Sequence, residues 1–236
     1  MATFLEIANN VAVKTRLPEM TNCFSSSGRN AKAIRLAIIQ GAERDIYRAF
    51  NWSFLTKKYS FSTVADRAYY DLPSDFGRIV DETFWNNTSE REVAGPVDAK
   101  TWAMYENDAF GVSAIDYVSR ILPLDGVNKM YLIQTPSAVE SMSYYYISNR
   151  YVTHDSVLVG DFAGDDDTTI LDDDLVEQAA LWRTLRILGL DYGEEKVEFI
   201  ALRKEQEAHD GGAKVLNQSS SSDAVFVANV PLTGLG

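Results

Sequence analysis

Asn51-Trp52-Ser53-Phe54-Leu55, then a short polar-aromatic stretch, then Tyr69-Tyr70-Asp71-Leu72-Pro73-Ser74-Asp75-Phe76: across these residues the chain changes its hydrophobic period, and that change decides the fold. Trp52, Phe54 and Leu55 put large apolar area at a helix terminus, where each buried side chain contributes about 1.5–3 kcal/mol. Leu72-Pro73 forces an extended residue before the proline and ends a strand. Taken singly, each motif reads as core or turn.

Upstream the pattern is helical. Phe4, Ile7, Ala8 and Val11 stand at i, i+3, i+4 and i+7 over residues 3–13, which predicts a short helix with one buried face. Thr21 to Asn30, rich in Ser and Asn, reads as a loop, and a long second helix is expected from about Asn30 to Phe50. Its apolar positions, among them Ala31, Ile34, Leu36, Ile38, Ala42 and Ile46, cover more than half the circumference, so it is expected to pack on two sides. The remaining face carries Arg29, Gln40, Arg44 and Arg48. Two readings of Arg44 and Arg48 stand: a solvated face, or a contact with an acidic neighbour subunit or with DNA in a channel.

Downstream, from Lys57 to about Arg150, the period shifts toward two. Tyr59-Phe61-Thr63, Ile115-Tyr117-Ser119 and Met142-Tyr144-Tyr146 each alternate as strands do. Asp125-Gly126 is a hairpin turn signal, and Pro96-Val97-Asp98 starts one helix running to about Asn107. The chain then passes through Asp161, Asp165, Asp166, Asp167, Asp172, Asp173, Asp174 and Glu177 with no basic residue among them. Negative charge belongs at a helix start, so these acids are expected to cap a helix from about Asp173 to Gly189, apolar almost all round and therefore central. A last helix is expected from Tyr192 to His209, opened by a capping box of Asp191 and Glu194 and stopped by Gly211-Gly212. Beyond it lie a serine-rich linker and an apolar segment containing Val225, Phe226, Val227, Val230 and Leu232. Such a segment ends against a partner or folds back on its own body, and both readings stand.

With 236 residues and 46% hydrophobic content the chain can bury a substantial core. Its formal charge of −12 argues against wrapping DNA or lying on an anionic membrane. One cysteine, Cys23, excludes an intramolecular disulfide, and two histidines leave little for a zinc site. No membrane-length apolar run or basic signal-peptide start is seen, so synthesis in the cytosol is expected. Catalysis finds no phosphate loop, dinucleotide fingerprint or zinc-protease motif. His154-Asp155-Ser156 has the residue types of a hydrolase triad, but neighbours along one strand point to opposite faces. An EF-hand beginning at Asp161 fails at Ala163 and Asp166, which leaves helix capping and solvated charge, or a looser divalent site. Paired carboxylates for glycoside hydrolysis stand as a further reading in so acidic a chain. The expectation is a non-enzyme with no catalytic residue, no cofactor and no metal.

The order of the elements carries more than any one motif. A helix ending in Trp-x-Phe-Leu, a hairpin, a Tyr-Asp-Leu-Pro-x-Asp-Phe turn, and a late helix containing Leu181-Trp182-Arg183 before Gly189-Leu190-Asp191-Tyr192 together resemble the head-to-tail adaptor family of tailed bacteriophages. The resemblance covers roughly residues 1 to 210.

The expected fold is α+β: a discontinuous helical bundle from residues 1–56 and 166–210, a β-rich insertion at 57–165, and an extended C-terminal tail at 211–236. The resemblance implies a structural virion protein at the portal vertex. It would form a ring with copies of itself, typically twelve, joining the portal protein to the tail or nozzle while packaged DNA passes through the bore without sequence-specific binding. Arg44, Arg48, Asp165, Asp166 and Asp167 are the candidate subunit or DNA-channel contacts, because residues 1–60 carry nine basic and four acidic side chains while 161–177 carry only acids. Val225, Phe226, Val227, Val230 and Leu232 are the candidate docking tail.

Overall fold

A computed structural model describes residues 1–107 and 117–211. The proposed docking segment and Ile115 lie outside these residues.

The described chain is mixed α and β. Helix α1, Phe4–Lys14, buries Phe4, Ile7, Ala8 and Val11, the four positions named by spacing. It opens with a capping box, Thr3 accepting from the Glu6 amide and Glu6 from the Thr3 amide. Helix α2 spans Arg29–Gln40 and packs on α1 and on the later helix α4, Asp173–Leu188, but Leu36, counted in its apolar coverage, is exposed. The expected helix to Phe50 is interrupted, because Gly41–Tyr47 winds as a π-helix. A Cβ on Gly41 would lie 3.0 Å from Ala179 Cβ, so the backbone approaches α4 as closely as glycine allows.

Helix α4 packs on α1, α2, the π-helix and α5, which spans Gly193–Asp210. It buries Leu175, Val176, Ala179, Ala180, Leu181, Trp182 and Leu185. The all-round apolar reading needs one correction: Ile187, in the last turn, is exposed. Gly189 ends the helix at φ 75°, with the Leu190 amide donating to Leu185 O at 2.9 Å. The capping box expected at Asp191 and Glu194 does not form. The N-cap falls one residue later, at Tyr192, and Asp191 accepts from the Gly193 amide instead.

The sheets are antiparallel. Strand β8, Ser141–Ser148, is central to the largest and pairs with β1, Thr56–Ser62, with β3, Phe76–Ile79, and with the short β4, Trp85–Asn86. Because β8 is covered on both faces, the expected alternation at Met142, Tyr144 and Tyr146 becomes nearly continuous burial, broken in mid-strand only at Tyr145. Met142, Tyr144 and Tyr146 enter an aromatic core with Tyr70 and Phe84, while Ile147 joins the core under the helices. Strands β6, Val118–Leu124, and β7, Val127–Ile133, form the hairpin expected at Asp125-Gly126, both turn residues at positive φ (51° and 80°). Helix α3, Ala99–Glu106, starts at Asp98 as expected. A second hairpin, Val152–His154 (β9) with Val157–Val159 (β10), was not anticipated.

Candidate functional site

The π-helix sets the basic surface. Arg44 is exposed and makes no ion pair among the described residues, whereas Arg48 is paired with Glu43 on its own element. Beside them lies a groove of about 440 Å³ between helix and sheet. Tyr47 stacks on Tyr151 there, ring centres 5.1 Å apart, and the Arg78 guanidinium sits 5.3 Å from the Tyr47 ring centre while donating to the Phe50 and Tyr47 carbonyls. Gly77 makes this close contact feasible, since a Cβ would fall 2.1 Å from Tyr47 Oη and 2.8 Å from Ile147 O. Sequence reasoning passed over this cluster; the glycine inside strand β3 was its one signal.

The acidic stretch is only partly a helix start. Asp172 caps α4, accepting from the Leu175 amide at 2.9 Å. The earlier acids organise the N-terminal region instead. Asp165 Oδ1 accepts from the amides of Cys23 and Phe24 at 3.0 and 2.9 Å, and the carbonyls of Asp167 and Asp165 accept from the first amides of α1, Phe4 and Leu5. Asp167 is buried and accepts from the Ala163 and Gly164 amides and from His154 Nδ1, the last at 2.6 Å. Burial alone would raise the Asp167 pKa, but those donors outweigh it and hold the carboxyl below its ordinary range. The same hydrogen bond raises the His154 pKa. Asp166 is the exposed member of the three and carries its charge to solvent.

His154, Asp155 and Ser156 do not follow one another along a strand. Asp155 and Ser156 are the hairpin turn, at φ 47° and 65°, and His154 Nε2 lies 3.5 Å from Asp155 Oδ2. Both ring nitrogens therefore face carboxylates, which favours the charged form of the imidazole. Among the described residues no group of three or more His, Cys, Asp or Glu could hold a metal ion, and no helix is long and apolar enough to cross a membrane. Cys23 is buried, and desolvation pushes its thiol up to about 11.

The Trp-x-Phe-Leu motif is split between core and surface. Trp52 and Leu55 are buried, and Trp52 Nε1 donates to Ile46 O at 2.9 Å. Phe54 is 46% exposed and stacks on Trp52 at the edge of a second groove, about 420 Å³. In the second motif Asp75 is a structural hub: it accepts from Lys57 Nζ at 2.6 Å, Tyr146 Oη at 2.8 Å and Ser148 Oγ at 2.9 Å.

Comparison with curated proteins finds no match. A family model described as SU10 adaptor protein matches residues 2–226. The match thus runs beyond the residue-210 limit of the motif resemblance, through the serine-rich stretch to Phe226. The chain belongs to the SU10 adaptor protein family, a family of bacteriophage structural proteins.

Proposed function

We propose that this chain is one subunit of a closed ring that joins the portal of a tailed-phage capsid to its tail or nozzle and helps retain the packaged DNA. It acts by binding and geometry, with no turnover. Membership of the adaptor family over nearly the whole chain is the observation that carries this reading. A head-to-tail ring uses two different faces of each subunit, and a rotation that closes leaves a central bore. Exposed charges of opposite sign on separate elements, Arg44 on the π-helix and Asp166 in the acidic loop, suit two such faces. Arg48, also exposed, is paired with Glu43, and the acids at 165 and 167 are held by backbone amides.

In this reading the helices of residues 1–56 and 166–210 act as one discontinuous bundle, supported by the packing of α4 on α1, α2 and α5. The β-rich insertion of residues 57–165 offers subunit contacts, twelve copies close the ring, and the net charge of −12 keeps DNA from adhering as it passes. Val225, Phe226, Val227, Val230 and Leu232 supply an arm for the portal or a neighbour. The test is electron microscopy of the purified protein mixed with its portal: a ring stacked on the portal ring is expected. Free portal rings at saturating protein, or clearing of a bacterial cell-wall suspension by the protein alone, would overturn it. Because the portal can template assembly, the mixture decides and the isolated subunit does not.

A further inference from the structure

We propose that, before assembly, the Val225-Phe226-Val227 segment occupies the second groove of its own chain, with the Phe226 side chain seated against Phe54. The groove has an apolar floor of Ile46, Trp52, Ile170 and Leu175, walled by Phe54. Phe54 is the exposed member of this set, at 46%, although its neighbours Trp52 and Leu55 are core. A large aromatic ring left open beside an apolar floor marks a surface built to be covered.

The chain itself identifies the occupant. Helix α5 ends beside this groove, and Asp210 fixes the end by accepting from the Ser53 amide at 2.7 Å and from the Ser53 hydroxyl. Gly211, the last described residue, lies against the Phe50 ring. The sequence therefore continues from the rim. Thirteen residues, four of them consecutive serines, separate Gly211 from Val225. As a polar linker they reach about 20 Å, ample for a return to a groove at their own origin, and a linker this short gives an effective concentration on the order of millimolar. Ala224 to Leu232 has no charged residue, so the segment that enters the groove brings no charge against the lining's Asp172, His209 and Asp210. In an extended segment Phe226 points opposite to Val225 and Val227, so one ring enters the groove and the two valines cover its mouth.

The test uses the full chain carrying Gln206→Cys, a position on the groove lining, labelled with a maleimide; the native Cys23 is buried and does not compete. The comparison adds Phe226→Asp, and matching thermal melts by circular dichroism establish that the two proteins share one fold. A docked segment slows labelling roughly tenfold relative to the Phe226→Asp protein, with a ratio independent of protein concentration, as intramolecular docking requires. Equal rates in the two proteins overturn the proposal, and so does a slowing that disappears on dilution, which would assign the groove to a second copy. The ring proposal is untouched by either result, because it is decided on the portal.

Discussion

Asp75 is the residue that ties the second motif to strands β1 and β8. Burial alone would raise its pKa, yet hydrogen bonds from Lys57, Tyr146 and Ser148 outweigh that effect and hold it to about 2, against an ordinary 3.8. A carboxyl whose pKa is depressed by folding adds stability that is fully present above the unfolded value and is lost as pH falls through the folded one. The contribution of Asp75 should thus be complete above about pH 4 and gone near pH 2. Its worth is about 2 kcal/mol, reduced from the raw shift because the Lys57 ammonium is 45% exposed and screened by solvent. Asp75→Asn is expected to cost about that much at pH 7 and to flatten the urea-unfolding stability between pH 4 and pH 2. An Asp75→Asn protein whose acid profile parallels the parent's would show that the carboxylate is not the titrating group. The second motif was legible as a turn from Leu72-Pro73, but its acid was not legible as a hub, because two of its three donors come from a strand about 70 residues later.

At the scale of elements, the most telling feature is the π-helix following α2. Its cause lies in its neighbour: Gly41 lets the backbone press on Ala179, and Arg183 of α4 then reaches across. Arg183 donates to both oxygens of Asp45, at 2.5 and 2.7 Å, and to Gln40 at 2.9 Å, so one guanidinium ties the residue before the π turn to a residue within it. Both side chains of the ion pair are largely buried, at 13% and 17% exposure. Asp45→Ala should therefore cost about 3 kcal/mol, chiefly by stranding the arginine, and Asp45→Ala with Arg183→Met should recover most of it. Thermal melts by circular dichroism would measure both; a single variant melting like the parent would remove the pair from the account. Sequence patterning located α1, α2 and α4 because their apolar spacing is local information. It could not reveal the π turn, which requires no special residue type, nor the β9–β10 hairpin, whose turn is Asp155-Ser156 in place of a glycine-bearing pair. It assigned the acids at 165 and 167 to a helix start, to solvent or to a subunit or DNA-channel contact; the partners of the Asp165 carboxylate, the Cys23 and Phe24 amides, are more than 140 residues away and could not be read locally.

For the whole molecule, the question is which charges remain to meet another subunit once the chain has used its own. The basic excess near the N-terminus and the acids of 161–177 were legible as an asymmetry in sequence, and folding consumes part of it. Lys14 pairs with Glu177, Arg48 with Glu43, Arg183 with Asp45, and Asp167 with His154. Arg44 and Asp166 keep exposed charge. In a head-to-tail ring each interface would set Arg44 of one subunit against Asp166 of the next, so every contact is repeated around the ring and a small pairwise loss is multiplied. Exposed pairs are worth only about 0.2–1 kcal/mol each, but across all the interfaces of the proposed ring, which must close together, the sum would decide whether the ring persists. Arg44→Glu should therefore impair ring formation on the portal, most at low salt where screening is weakest, while leaving the subunit's own melting unchanged within about 0.5 kcal/mol. Adding Asp166→Lys to the same chain restores opposite signs at every interface and should restore assembly, whereas Asp166→Lys alone should fail as Arg44→Glu does. Light scattering of the portal mixture reads all three. Assembly by Arg44→Glu at the parent's level, or failure of the charge-swapped double variant where the single ones succeed, would place the ring contact elsewhere on the subunit.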